Sequence, residues 1–336
     1  MRELAIDLGT TNTIILEKGS GILLDEPSVI AINATTKELV EIGAEAEDMI
    51  SRVHGNINAL HPIKNGVITD FENTNIMLKH FMVKAKVAAK FTNRPRVLLA
   101  IPTEVSRVEK LAVVQILRAV GVKRRDIFLI NKAKATALSE KLPIEKPQGC
   151  MIVDIGGGTT ETLIMSMNET VSGKSVPIAG DELDTAIVNY IKKQYNTAIA
   201  DYSAEAIKIE LGCAFQNDSK KTYEVKGLDL TSNATNTLTI TANEVATAIE
   251  EPIKDIIDSI KRALEKTPPE LAADIMQMGI ILTGGGSLLK GLSRLIAEEI
   301  GVEIKTVDKP LNSVINGMAL VLDDFANMQH LLTAIE

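Results

Sequence analysis

Residues 154–162 read DIGGGTTET, with the apolar run CMIV (150–153) before them and the apolar run LIM (163–165) after them. A glycine cluster between two apolar runs is typical of a turn that joins two strands. Taken alone, the motif is explained as well by a plain hairpin as by a ligand-binding loop. Its interpretation therefore depends on the rest of the chain.

A second copy of this pattern opens the chain. LAIDLGTTNTIIL (4–16) matches MIVDIGGGTTETLIM (151–165): each has an apolar run, an aspartate, an apolar residue, a Gly/Thr cluster and a second apolar run. Asp7 and Asp154 are 147 residues apart, as are Gly9 and Gly156. The longer glycine run suggests one extra residue in the second turn. Two matching hairpins half a chain apart predict a duplicated domain.

A third glycine loop occurs late in the chain, in GIILTGGGSLLKGL (279–292), where it follows an apolar strand. Elsewhere strands and helices alternate, which predicts α/β layers with mixed or parallel sheets. The predicted strands include 96–102, 127–131 and 238–244, the last running into the start of a helix. The predicted helices include 103–120, 133–142, 186–195, 204–212 and 312–332. The weakly patterned stretches 33–65 and 214–237 are interpreted as small insertions.

Length, composition and net charge limit the classes of protein to which this chain can belong. A chain of 336 residues predicts two domains or more, and 45% hydrophobic with 24% charged residues is typical of a soluble globular protein. We expect neither a signal peptide, because an apolar strand begins at once, nor a membrane span. Two cysteines predict a reducing, cytoplasmic location. A net charge of −8 argues against nucleic-acid binding.

One stretch, KAKVAAKFTNRPR (84–96), is strongly basic although the chain as a whole is acidic. Such a run is most often a solvated helix face. The alternative is peripheral contact with an anionic membrane through the Lys84–Arg96 region, with Phe91 as an apolar anchor.

The three glycine loops share a chemistry. Backbone N–H groups in a glycine-rich turn converge on phosphate oxygens, and glycine permits their close approach. Asp7 and Asp154 would repel a phosphate directly. They suit a Mg²⁺ ion, whose retained waters are held by carboxylates. The pattern predicts a nucleotide site at a domain interface.

DLGTTNT, DIGGGTTE and LTGGGSLLKGL resemble the phosphate and adenosine motifs of the actin/Hsp70/sugar-kinase superfamily, and within it the MreB family of bacterial actins. HPIKNGVITDFE (61–72), IPTEVSRVEK (101–110), IAGDELDTAIVNYI (178–191) and AEAIKIELGCA (204–214) extend the resemblance over nearly the whole chain. It implies an actin-like α/β fold of two duplicated domains, each with a small subdomain, around a cleft that holds ATP and Mg²⁺.

The resemblance also implies a division into subdomains and a set of site residues. The expected boundaries are 1–32, 66–140 and 314–336 for subdomain IA, 33–65 for IB, 141–181 and 243–313 for IIA, and 182–242 for IIB. The expected nucleotide-binding residues are Gly9, Thr10, Thr11, Asn12, Gly156, Gly157, Gly158, Thr159, Glu205, Lys208, Gly284, Gly285 and Gly286. Asp7 and Asp154 would hold Mg²⁺ through water, and Thr159 would help to place the attacking water.

The segment INKAKATAL (130–138) departs from the family pattern, in which two glutamates and a proline follow this strand. Here Asn131, Lys132 and Ala133 occupy those positions. An ammonium has no acceptor and cannot align an attacking water. We therefore expect tight nucleotide binding with slow hydrolysis. Alternatively, Lys132 points into solvent and another carboxylate, with Glu140 nearest in sequence, serves instead.

The resemblance implies self-association into cytoskeletal filaments that govern cell shape. The chain also resembles the MreB paralogues of wall-less helical bacteria, whose hydrolysis motif is altered and which are linked to shape and swimming. Two alternatives use the same cleft. A small-molecule kinase needs a base beside the substrate hydroxyl, for which the sequence offers no convincing acid, and a chaperone-type ATPase would need a further substrate-binding domain.

Overall fold

The computed structural model describes residues 2–52, 56–87, 95–216 and 218–335, except for the side chains of residues 50–52. The chain forms two compact units. One is made of Met1–Ile144 with Leu311–Glu336, and the other of Glu145–Pro310. The first unit is thus built from two separate stretches of the chain.

Strands and helices alternate through both units, as predicted. The strands are β1 (Glu3–Leu8), β2 (Asn12–Glu17), β3 (Gly21–Pro27), β4 (Ile30–Asn33), β5 (Leu39–Ile42), β6 (Ile57–Leu60), β7 (Ile63–Lys64), β8 (Val67–Ile68), β9 (Arg96–Ile101), β10 (Ile127–Asn131), β11 (Cys150–Ile155), β12 (Thr160–Ser166), β13 (Glu169–Val176), β14 (Thr197–Ala198), β15 (Thr222–Asp229), β16 (Thr235–Thr241), β17 (Ile280–Thr283) and β18 (Ile304–Thr306). The helices are α1 (Ala44–Arg52), α2 (Phe71–Lys84), α3 (Arg107–Ala119), α4 (Lys132–Ser139), α5 (Gly180–Tyr195), α6 (Asp201–Leu211), α7 (Ala242–Glu265), α8 (Pro269–Met278), α9 (Leu292–Ile300) and α10 (Ser313–Asp323).

The main sheet has the same strand order in each unit. It runs β10–β9–β1–β2–β3 in the first unit and β18–β17–β11–β12–β13 in the second. In both sheets the central strand, β1 or β11, is antiparallel to its hairpin partner and parallel to the neighbour on its other side. These two mixed sheets confirm the predicted duplication of an α/β domain.

The two glycine hairpins also share one register. Leu8 pairs with Thr13 in the first hairpin and Ile155 pairs with Thr160 in the second, so four residues lie between the paired positions in each. The expected extra residue in the second turn is therefore wrong. The longer glycine run suggests an insertion, but the number of glycines does not set the number of residues in a turn.

Alternation along β1 buries both faces of the first sheet. Leu4 and Ile6 pack with α2 and α3, whereas Ala5 packs with α4 and α10. All three side chains are fully buried. Successive side chains of a strand point to opposite faces, so helices cover this sheet on both sides. In the second unit Val153 and Ile155 share an apolar core with α5, α6 and α7.

Two helices are shorter than the apolar periodicity predicts. The helix expected from residue 103 begins at Arg107, because Ser106 accepts a hydrogen bond from the Glu109 N–H and the Glu109 carboxylate accepts one from the Ser106 N–H. The last helix, expected over 312–332, ends at Asp323, where acidic residues oppose the helix dipole. A 3₁₀ turn at Gln329–Leu331 then follows.

Other boundaries shift by a few residues. Helices α5 and α6 begin at Gly180 and Asp201 rather than at 186 and 204. Helix α4 spans Lys132–Ser139 rather than 133–142, and Lys141 beyond it has a left-handed φ of 53°. The earlier start of α5 matters most, because its first turn contacts a glycine hairpin.

Each unit carries a small additional sheet. The order is β5–β4–β6 in the first unit, with α1 beside it, and β14–β15–β16 in the second. The first of these sheets begins at Ile30, three residues before the expected start of subdomain IB. The division into four subdomains remains a prediction.

Helices α4 and α10 approach each other closely at Gly317. A Cβ atom there would lie 1.7 Å from the backbone oxygen of Ala135. We expect Gly317→Ala to destabilise the first unit by about 3 kcal/mol, since a packed helix pair cannot absorb an added methyl group without moving. For a unit of this size the loss lowers Tm by about 6–12 °C in circular dichroism.

Asn316→Ala is the matched control, because Asn316 is exposed on the same helix. It should change stability by no more than about 0.5 kcal/mol. A Gly317→Ala protein with the wild-type Tm would contradict the close packing of the two helices.

Candidate functional site

The first hairpin turn joins β1 to β2 and is closed by a backbone hydrogen bond from Gly9 N–H to Asn12 O of 2.9 Å. A Cβ at Gly9 would lie 2.5 Å from that oxygen, so only glycine fits. Thr10 Oγ accepts a hydrogen bond of 2.9 Å from Gly66 N–H. Thr11 and Asn12 are exposed, and the Asn12 amide donates to Asp25. The predicted residues of this loop therefore form one short turn that is held by hydrogen bonds.

The second hairpin turn repeats this geometry. Gly156 N–H donates to Thr159 O at 2.9 Å, the counterpart of the bond from Gly9 to Asn12. The first turn of α5 anchors it, because Gly180 N–H donates to Gly156 O and Asp181 N–H donates to Gly157 O. The hairpin is thus held by a helix N-terminus, whose backbone N–H groups and dipole favour a nearby anion.

The third loop lies beside the second hairpin. Strands β11 and β17 run parallel with Asp154 opposite Thr283, so Gly284 follows directly at the same sheet edge. Gly284 has a φ of +81°, and a Cβ there would lie 2.3 Å from Asp154 Oδ1 and from Ile155 O. A Cβ at Gly286 would collide with the Ile155 side chain. Asp154 and the predicted residues Gly284, Gly285 and Gly286 are therefore brought together.

Lys208, on α6, is bound within the second unit. Its ammonium donates to Asp184 Oδ2 at 2.6 Å and to Gly180 O at 3.1 Å. Because Gly180 also donates to Gly156 O, Lys208 is linked through one residue to the second hairpin. Glu205 lies half-buried one turn earlier on the same helix. The expected contacts of Glu205 and Lys208 with a nucleotide remain predictions.

Asp184 was not predicted from the sequence. Burial raises its pKa from 3.8 to about 7; the Lys208 ammonium opposes this rise, whereas the charges of Glu205 and Asp181 add to it. The expected start of α5 at 186 left Asp184 outside any helix. With α5 beginning at Gly180, Asp184 falls on the helix that packs against α6.

Lys132 forms an ion pair with Asp7. Its Nζ atom lies 2.8 Å from Asp7 Oδ1, and the two side chains are only 15% and 13% exposed. Asn131 caps the helix behind it by accepting a hydrogen bond of 3.1 Å from Lys134 N–H. The alternative in which Lys132 points into solvent is therefore wrong, and Glu140 lies at the opposite end of α4.

The resemblance to bacterial actins implies Mg²⁺, and the two aspartates differ in how well they suit it. Asp154 lies beside backbone that only a glycine permits, which suits a compact ligand site. Asp7 fits poorly, because an ammonium already neutralises its charge at 2.8 Å. Within the described ranges, no cluster of three or more acidic, His or Cys side chains is arranged to hold a metal ion directly. The metal roles of both residues remain predictions.

The basic stretch is partly neutralised. Lys84 pairs with Glu26 at 2.8 Å and with Glu45 at 3.0 Å, and Arg96 pairs with Glu3 at 2.5 Å. Lys90, Phe91 and Arg94, which complete the predicted membrane contact, lie outside the described residues. Among the helices that the structure describes, none has the length and apolarity of a membrane span.

Known proteins resemble this chain over nearly its full length. A family model described as "MreB/Mbl protein" matches residues 1–330. The cell shape-determining protein Mbl of Bacillus subtilis (strain 168) is 41% identical over 323 residues, covering 96% of each chain. The cell shape-determining protein MreB of Escherichia coli (strain K12) is 41% identical over 325 residues, covering 96% of this chain and 93% of that one.

Solved structures agree with this assignment. MreB5 of Spiroplasma citri bound to AMPPNP superimposes with a TM-score of 0.90 at 32% identity, covering 97% of both chains. The same protein bound to ADP gives 0.90 at 32% identity and 98% coverage of both. A MamK double helical filament, with a TM-score of 0.78 at 21% identity and coverage of 96% and 99%, shows the fold alone. The resemblance read from the motifs is confirmed: the chain has the actin-like fold and belongs to the MreB/Mbl family.

Proposed function

We propose that this protein is an ATP-binding bacterial actin that polymerises into filaments governing cell shape. The observation that supports nucleotide binding is the pair of glycine hairpins. Both have the same register, and each is closed by an equivalent backbone hydrogen bond. Support comes from MreB5, a relative of 32% identity that binds AMPPNP and ADP. The role in cell shape is taken from the names of Mbl and MreB, and a cytoplasmic location from the family.

Each unit offers groups that suit a nucleotide. In the first unit the turn Gly9–Asn12 offers backbone N–H groups, hydroxyls and an amide for phosphate oxygens. In the second, the turn Gly156–Thr159 does the same, with the α5 N-terminus behind it, and the Gly284–Gly286 loop would lie against the nucleoside. The carboxylates of Asp7 and Asp154 would hold the waters of Mg²⁺. The contribution of Asp7 would be the weaker one, because the Lys132 ammonium neutralises its charge.

Slow hydrolysis is the second part of the proposal. The Lys132 ammonium offers donors only, so it cannot accept a proton from the attacking water. Its contact with Asp7 keeps it inside the unit rather than in solvent. Loss of a positioned general base costs about 10²–10⁴-fold in rate. Only Mg²⁺, Thr159 and backbone donors would then drive hydrolysis.

Filament formation and the remaining contacts rest on the family. Self-association is what the resemblance to bacterial actins implies. Binding of nucleic acid is not expected at a net charge of −8. Peripheral membrane contact through the Lys84–Arg96 region would depend chiefly on its central residues, since Lys84 and Arg96 are already paired with carboxylates.

Lys132→Glu restores an acceptor at the altered position. We expect it to raise the rate of phosphate release from ATP by about tenfold or more over wild type. Lys132→Met is the control, because it removes the ammonium without adding an acceptor and should leave release slow. Fast, metal-dependent release by the wild type would refute the proposal.

The second unit generates a prediction on pH. Protonation of Asp184, whose pKa is about 7, leaves the Lys208 charge uncompensated and so favours an anionic ligand. AMPPNP affinity, measured by calorimetry, should rise about three- to tenfold between pH 8 and pH 6.

Asp184→Asn should show only the pH dependence that the nucleotide itself causes, at an affinity close to that of the wild type at pH 6. Protonation of the nucleotide itself affects both proteins equally, so the difference between them isolates Asp184. Parallel pH profiles would show that the Asp184–Lys208 pair plays no part in binding.

Polymerisation is tested by sedimentation at increasing protein concentration with ATP, with ADP and without nucleotide. A filament leaves a constant amount of protein in the supernatant above a critical concentration, and electron microscopy of the pellet should show filaments. If the protein stays in the supernatant at every concentration and transfers phosphate to an added sugar, the kinase alternative replaces the filament.

A further inference from the structure

The Lys132–Asp7 ion pair is fixed by rigid elements on both sides. Asp7 lies on β1, the middle strand of the five-stranded sheet, and Lys132 is the first residue of α4. Asn131 caps that helix, and α10 packs against it at Gly317. The Lys132 side chain crosses β9, which lies between β10 and β1, to reach the carboxylate. The ion pair is thus held in place by the sheet and the packed helices of the first unit.

The position of Lys132 is unfavourable without Asp7. A cation in the first turn of a helix opposes the positive end of the helix dipole. Both side chains are largely withdrawn from water, which strengthens their attraction. Among the described residues, Asp7 Oδ1 has no well-aligned hydrogen-bond donor, so the contact at 2.8 Å acts mainly through charge. The carboxylate and the ammonium therefore stabilise each other.

The same pairing changes what the site offers a metal ion. A divalent cation beside Asp7 would meet a carboxylate that is already neutralised and an ammonium that repels it. A phosphate would meet the opposite situation, since an ammonium has three donors and a full charge, and can hold a carboxylate and a phosphate oxygen at once.

We propose that Lys132 is a built-in counter-ion for the nucleotide phosphates, so that this protein binds nucleoside triphosphates with little dependence on Mg²⁺. The proposal rests on the proposed nucleotide site and adds a property to it. It assigns Lys132 a binding role that is independent of its effect on hydrolysis. The charge of a divalent metal is partly replaced by a charge that the fold itself supplies.

The test is calorimetric titration with AMPPNP, once with saturating Mg²⁺ and once with excess EDTA. For the wild type we expect the Kd in EDTA to exceed the Kd in Mg²⁺ by less than about tenfold. Lys132→Met should raise that ratio by about tenfold or more, because the metal must then supply the charge that the lysine provided. Lys132→Arg keeps the charge and should retain the wild-type ratio.

Lys134→Met is the matched control on the same helix and should also retain the wild-type ratio. Lys132→Arg guards against misreading a folding defect, since it alters the side chain without removing the cation. The proposed counter-ion role is overturned if the ratio of the Kd in EDTA to the Kd in Mg²⁺ is the same in wild type and Lys132→Met. It is also overturned if the wild type binds AMPPNP only with Mg²⁺. Absence of AMPPNP binding under both conditions, in a folded wild type, overturns the proposed nucleotide function itself.

Discussion

One backbone hydrogen bond, made twice, sets the geometry of both hairpins. Gly9 N–H reaches Asn12 O, and Gly156 N–H reaches Thr159 O, each across 2.9 Å. This tight closure forces the chain back on itself within four residues and keeps the aspartate before each turn at a strand end. At Gly9 a Cβ would strike the accepting oxygen, so the bond requires glycine. Strand register, and with it the placement of Asp7 and Asp154, follows from that closure.

The ion pair of Lys132 with Asp7 depends on strand order rather than on sequence proximity. The two residues are 125 positions apart, and they meet because β9 alone separates β10 from β1. The sequence predicted each residue as part of the site for a different reason: Asp7 from the repeat and Lys132 from the altered motif. Nothing in either motif indicates that one neutralises the other. That information lies in the sheet.

The sequence predicted the architecture well because the repeat and the apolar strands are local signals. It failed where a distant contact decides the outcome. The sequence predicts that α5 starts at 186, whereas in the structure Gly180 and Asp181, both poor helix formers, are held in its first turn by hydrogen bonds to Gly156 and Gly157. That error concealed Asp184, whose pairing with Lys208 again joins two separate helices.

The duplicated scaffold is used differently in its two halves. Strand pairing makes Ile304 of β18 the counterpart of Ile127 of β10, so Lys309 occupies the position that corresponds to Lys132. Yet Lys309 is exposed, because Pro310 follows it and no helix begins there, whereas Lys132 opens α4 and is directed to Asp7. Lys132 and Lys309 thus occupy equivalent sheet positions, but only Lys132 is followed by a helix that directs its side chain inward. The direction of the chain after the strand therefore decides which lysine pairs with an aspartate.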